Sequence, residues 1–180
     1  MSQENVEIVG KGLAAFEEPE RLAAKAVGSE ERATEEETMG NVDAVRGMYE
    51  AFGRGDIEAV LASCDPQIEW REAESNPYEP EGKPWIGPDA IVENLFMKLG
   101  QEWDSFTVSP REVYDAGEAV IAEGRYSGSY KATGKSIDAQ FCHVFKLREG
   151  KVTSFQQYMD TARMQDAMGA RLETQEAVQA

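Results

Sequence analysis

Between Asn41 and Gly53 the apolar side chains Val42, Val45, Tyr49 and Phe52 recur every third or fourth position, which lays them along one face of a helix. Asn41 stands where an N-cap belongs, and Gly53-Arg54-Gly55 ends the run. Asp56 suits the cap of a second helix whose Ile57, Val60, Leu61 and Cys64 share a face, with Asp65-Pro66 as its stop. From Gln67 to Ala73 the period drops to two. Ile68 and Trp70 fall on one side and Glu69 and Arg71 on the other, the pattern of a half-buried strand. A loop holding Pro77, Pro80, Gly82 and Pro84 leads to Gly87-Pro88-Asp89, which opens a third helix with the buried stripe Ile91, Val92, Leu95, Phe96 and Leu99.

The remainder alternates as β structure. Strands are predicted over 103–115, 118–131, 136–148 and 151–159. The turns between them are Asp115-Ala116-Gly117, Ala132-Thr133-Gly134-Lys135 and Arg148-Glu149-Gly150, each of hairpin length, so neighbours in sequence pair antiparallel. Four long strands in a meander twist strongly and must cover their apolar face with the three preceding helices. The expected class is α+β, a curved antiparallel sheet covered by three helices. Asp160-Thr161-Ala162-Arg163 begins a short last helix with Met164 and Met168 on one side, and residues 169–180 are expected to form a flexible tail.

Charge adds exclusions. The chain has 180 residues, with 34 acidic against 18 basic side chains and a net charge of −16. Phosphate neutralisation is therefore not a source of binding energy, and neither nucleic acid nor an anionic membrane is an expected partner. No apolar run approaches the roughly 20 residues that span a bilayer. The start MSQENVEIV lacks the basic and apolar regions of a secretory signal, and Cys64 and Cys142 suggest no disulfide framework, so a cytoplasmic location is expected. Residues 1–40 hold ten acids and four bases and read as an acidic N-terminal extension before a domain at 41–168. Within it, Ser29–Glu37 reads as a solvated linker or frayed helix. Asn5-Val6-Glu7-Ile8-Val9 and Ala15-Phe16 return 36 positions later as Asn41-Val42-Asp43-Ala44-Val45 and Ala51-Phe52. Duplicated helices and chance likeness between amphipathic helices both account for that echo.

The order of elements, with Tyr49-Glu50-Ala51-Phe52-Gly53-Arg54-Gly55-Asp56, Asp65-Pro66-Gln67-Ile68-Glu69-Trp70, Phe141-Cys142-His143-Val144-Phe145 and Gly150–Asp160, resembles the SnoaL-like group of the nuclear transport factor 2-like superfamily. The likeness covers about residues 41–168. It implies a cone-shaped half-barrel with a pocket between sheet and helices, usually in a homodimer. Members include polyketide cyclases, ketosteroid isomerases, limonene epoxide hydrolases and binding modules without activity, so the fold alone does not settle function.

Asp160 matches the aspartate that closes the last strand in cyclase-like members, where a carboxylate can exchange protons with a carbon acid. It also stands where the last helix needs an N-cap. His143, the only histidine, shares strand parity with Phe141, Phe145 and Leu147, which suits a pocket wall as well as a core with one satisfied imidazole. Trp70, Tyr78, Trp85, Tyr126 and Tyr158 are candidates for an aromatic lining that orients a carbonyl-bearing ligand, or for plain core. Glu72 shares parity with Trp70, in the region where isomerase-like relatives place a base. Arg125 could pair a buried acid, hold a carboxylate or stay solvated. No metal site is expected, because Cys142 and His143 point to opposite faces and there is no second histidine.

Two departures narrow the choice. The epoxide hydrolases need an acid on the last strand that falls at Gln157 here, and the isomerases' tyrosine on the first helix falls at Met48, with Tyr49 one step round. The reading is thus a pocket for a small apolar or carbonyl-bearing molecule. It serves a cyclase, isomerase or lyase without cofactor, with Asp160 moving the proton and His143 or Tyr158 holding the oxyanion, or else a non-catalytic binding or assembly module.

Overall fold

The stripe Val42, Val45, Tyr49 and Phe52 lies on helix α1 (Val27–Gly53) of a computed structural model that describes residues 27–79 and 81–170. Two compact units divide between Thr34 and Glu35; of the first, the described part is helical Val27–Thr34, and the fold below belongs to the second. Asn41 is a mid-helix residue and not the expected cap. Ser29–Glu37, expected as a linker or frayed helix, is fully helical. Its glutamates, arginine and alanine are good helix formers, and extending an existing helix costs far less than nucleating one. The expected duplicate of the first helices and residues 171–180 of the tail lie outside the described residues.

Helix α2 (Ile57–Ala62) follows, capped as its sequence suggests by Asp56, whose carboxylate accepts from Ala59 N–H. Strand β1 (Cys64–Arg71) takes in Asp65-Pro66, so the helix ends earlier than the proline required. The proline-rich segment contains a two-residue strand, β2 (Trp85–Ile86), too short to show in any periodicity. Next comes a helical rod of three parts: α3 (Pro88–Ile91), a π-helical turn at Val92–Phe96 and α4 (Met97–Glu102). The chain then meanders through β3 (Trp103–Asp115), β4 (Val120–Tyr130), β5 (Ser136–Arg148) and β6 (Lys151–Met159) before α5 (Thr161–Met168).

The six strands form one open sheet in the order β2-β1-β6-β5-β4-β3. It is mixed, not wholly antiparallel as expected: β1 runs parallel to β6, with Trp70 opposite Phe155. Hairpin turns dictate antiparallel pairing only between sequence neighbours, and no local signal names the partner of an isolated strand. Val45, Met48, Val60, Ile91, Leu95 and Leu99 from the helices pack in the same core as Ile68, Ala122, Phe145 and Phe155 from the sheet.

Curvature comes from β3 and β4. The β3–β4 register shifts twice, between Trp103 and Ser105 and between Pro110 and Glu112, and such bulges bend a strand. Gly124 and Gly128 on β4 sit against the backbone oxygens of Ser109 and Ser105, closer than any Cβ could approach. Gly124→Ala is expected to destabilise the domain by about 1–3 kcal/mol through overpacking. Gly47→Ala, on the exposed side of α1 with open space around it, is expected to stabilise by up to about 1 kcal/mol. Urea unfolding of the two variants checks both signs.

Candidate functional site

Alternate residues of a strand share a side, so β5 carries His143 on its buried face between Phe141 and Phe145. Strands β4 and β6 bring Tyr126 and Gln157 to that face, and β1 delivers Trp70 and, just beyond its end, Glu72. These groups border a cavity of about 70 Å³ that Tyr49 reaches from α1. Met48, Phe52, Leu95, Phe96 and Met164 give it apolar walls.

The polar groups form a continuous chain of hydrogen bonds. Glu72, only 5% exposed, accepts from Trp70 Nε1 at 2.7 Å and from Asn76 Nδ2 at 2.8 Å. Asn76 Nδ2 also donates to Gln157 Oε1 at 2.9 Å, and the same oxygen accepts from the backbone N–H of Ala73 at 3.2 Å. Gln157 Nε2 is then free to donate to the Tyr126 phenol at 2.9 Å. The imidazole of His143 lies between two phenols, with Nε2 bonded to Tyr126 Oη and Nδ1 at 2.7 Å from Tyr49 Oη. Among the described residues no buried side-chain nitrogen or oxygen lacks a partner.

Burial sets the ionisation. It pushes the Glu72 carboxyl up to about 7, against the hydrogen bond from Trp70, which favours the anion. It drives His143 down to about 3, because the ring is stacked on Phe141 at 4.1 Å and met edge-on by Phe155 at 4.9 Å. The imidazole is neutral at physiological pH. The phenols of Tyr49 and Tyr126 are raised by the same desolvation and stay protonated.

Of the residues singled out from sequence, Trp70, Glu72, Tyr78, Tyr126 and His143 border this one cavity. Tyr78 turns its hydroxyl to Glu102 Oε2 at 2.5 Å and accepts from Trp103 Nε1 at 3.0 Å. Tyr158 is 57% exposed, one residue out of phase with the buried Gln157, and is not part of the lining. Asp160 is likewise absent from it. Its carboxylate caps α5 by accepting from Arg163 N–H at 3.3 Å and pairs with Arg163 Nε at 3.2 Å. Arg125 pairs with Asp138 at the surface, 2.6 Å apart. Sequence reasoning missed Asn76, which sits in a loop without periodicity, and gave no role to Tyr49 beyond its place beside Met48. Gln157 entered only as a missing acid.

The model of the SnoaL-like domain matches residues 45–155. The chain belongs to the SnoaL-like family. A nuclear transport factor 2-like (NTF2-like) protein from Burkholderia thailandensis is 38% identical, with a TM-score of 0.68 over 71% of this chain and 96% of its own. Two more distant neighbours share the fold. TerC, co-crystallised with polyporic acid, is 24% identical with a TM-score of 0.65, covering 72% of this chain and 98% of its own. A proposed SnoaL-like polyketide cyclase from Jannaschia sp. CCS1 is 16% identical with a TM-score of 0.62, covering 72% and 91%. No match was found among curated proteins. Among the described residues of this SnoaL-like protein, no helix is long and apolar enough to cross a membrane.

A carboxyl raised from 4.5 to about 7 makes the folded state bind more protons than the unfolded one across that window, so stability falls as pH rises through it. Wild type is expected to lose on the order of 3 kcal/mol between pH 4.5 and 8 from this group. Glu72→Gln, less stable at low pH because its amide nitrogen faces a donor, should show a flatter profile. Urea midpoints measured across that range compare the two slopes.

Proposed function

We propose that this SnoaL-like domain admits a small, largely apolar carbonyl compound to the cavity and moves a proton on and off the carbon beside the carbonyl, with Glu72 as acid and base. The observation that carries this reading is the one buried carboxyl among the described residues, poised at about 7, on the same cavity as an imidazole and two phenols. A base near the working pH is half available to take a proton and half available to return it. The proton-moving role that the family resemblance suggests for Asp160 is better met by Glu72, since Asp160 is occupied in capping and in its pair with Arg163. The reaction class is that of a cofactor-independent cyclase, isomerase or lyase. The cytoplasmic homodimer implied by composition and resemblance is part of the same reading, with the outer sheet face around exposed Tyr158 as the surface a second copy would cover.

A second reading, a binding module without turnover, is favoured by the size of the cavity. At about 70 Å³ it is well below the roughly 300–1,000 Å³ of ordinary ligand pockets, so its methionine and phenylalanine walls must give way to admit a ring. Deuterium exchange at the α-carbons of small cyclic ketones in heavy water separates the two. The enzyme reading expects wild type and Asp160→Asn to catalyse exchange, with a rate that rises with pH through about 7, and Glu72→Gln to be slower by at least about a hundredfold while still binding the ketone. Exchange untouched in Glu72→Gln would remove Glu72 from the role. Tight binding with no exchange in wild type would leave the module.

A further inference from the structure

The row Tyr49, His143 and Tyr126 contains more hydrogens than it has uses for. Each phenol carries one and the neutral imidazole carries one, while only two hydrogen bonds join the three groups. If Tyr126 donates to Nε2, the ring hydrogen is on Nδ1 and donates to Tyr49, whose own hydrogen is left over. If Nε2 donates to Tyr126, Tyr49 donates to Nδ1 and the Tyr126 hydrogen is left over. Gln157 cannot absorb it, because the Ala73 N–H and Asn76 Nδ2 both donate to its Oε1 and so fix its amino group toward Tyr126. Among the described residues neither phenol has another acceptor, and both phenols border the cavity.

We infer that Tyr49, His143 and Tyr126 form a reversible relay that always offers one phenolic hydrogen to the cavity, at either of two places, and so selects uncharged ligands that carry an acceptor oxygen. This deepens the reading of the cavity as a carbonyl site and rests on it. His143 is a positioning residue in this arrangement: its tautomer decides which phenol offers the hydrogen. The ligand oxygen gains a donor that transfers no proton, since the phenols hold theirs firmly. Anionic ligands are refused, because among the described residues no lysine or arginine borders the cavity and Glu72 does. The donor can also be reset for a ligand whose charge lies on another oxygen: a water molecule admitted with the ligand protonates one ring nitrogen and takes the hydrogen from the other, and the two hydroxyls turn over. That property suits enols and enones.

His143 is the only histidine in the chain, so nitrogen-15 labelling of histidine reports one ring. The probes are cyclopentanone, its apolar isostere methylenecyclopentane, and cyclopentanecarboxylate. The relay predicts a neutral ring between pH 5 and 8 in two exchanging tautomers, and a shift toward one tautomer on saturation with cyclopentanone but not with methylenecyclopentane. In Tyr49→Phe/Tyr126→Phe the ketone-to-alkene affinity ratio should fall about tenfold with alkene affinity kept, and the carboxylate should bind to neither protein. A cationic ring, a tautomer ratio indifferent to bound ketone, or an unchanged affinity ratio overturns the relay. Should the double variant fail to fold, the wild-type tautomer shift alone decides. If neither cyclopentanone nor methylenecyclopentane binds wild type, the cavity reading falls and the relay falls with it. If the alkene binds and the ketone shifts nothing, the relay alone fails.

Discussion

The hydrogen bond from the Ala73 backbone N–H to Gln157 Oε1 gives the interior its direction. A backbone amide can only donate, so the side-chain amide it meets must present oxygen to it and nitrogen the other way. That one constraint orients Gln157 between the loop after β1 and the phenol on β4. It also explains why the last fully buried position of β6 holds an amide: an aspartate or glutamate there could accept from Ala73 but could not donate to Tyr126 without first taking up a proton. The two ends of the network differ accordingly. From Glu72 to Gln157 every donor is assigned, and beyond Tyr126 the assignment becomes free.

Low dielectric makes this network consequential. Phe141 stacked on its face and Phe155 at its edge desolvate His143, and a ring so desolvated does not hold a second proton. The same dryness leaves Glu72 as the group in the cavity whose charge changes near neutrality. With ordinary strengths the acid would be charged at neutrality and the ring would titrate just below it. Burial turns them into a neutral ring and a half-protonated acid, a division of labour that follows from desolvation alone.

Much of the scaffold was readable from local pattern. The hairpin turns placed β3 to β6 almost to the residue, because glycine-containing turns of that length permit one kind of pairing. Parity grouped Glu72 with Trp70 and His143 with Phe141 and Phe145, all of them concealed, whereas Tyr158, expected in the lining, lies on the open side of β6. What stayed hidden depended on contacts between distant parts of the chain. The neighbour of β1, the two-residue β2, and the meeting of Asn76 with Gln157 across 81 positions leave no trace in a window of ten residues. Asp160 shows the opposite hazard. A carboxylate in the position of a family acid can also cap a helix and pair with a neighbouring arginine.

The parallel pairing of β1 with β6 bears on how the chain acquires this structure. Residues 64–71 leave the ribosome well before residues 151–159, and until the later strand arrives the earlier one has no neighbour except the two residues of β2. Loop closure over that separation is slow, and the apolar stripes of the early helices are uncovered while it waits. The dense negative charge ahead of α2 sets such chains in mutual repulsion while those surfaces are bare.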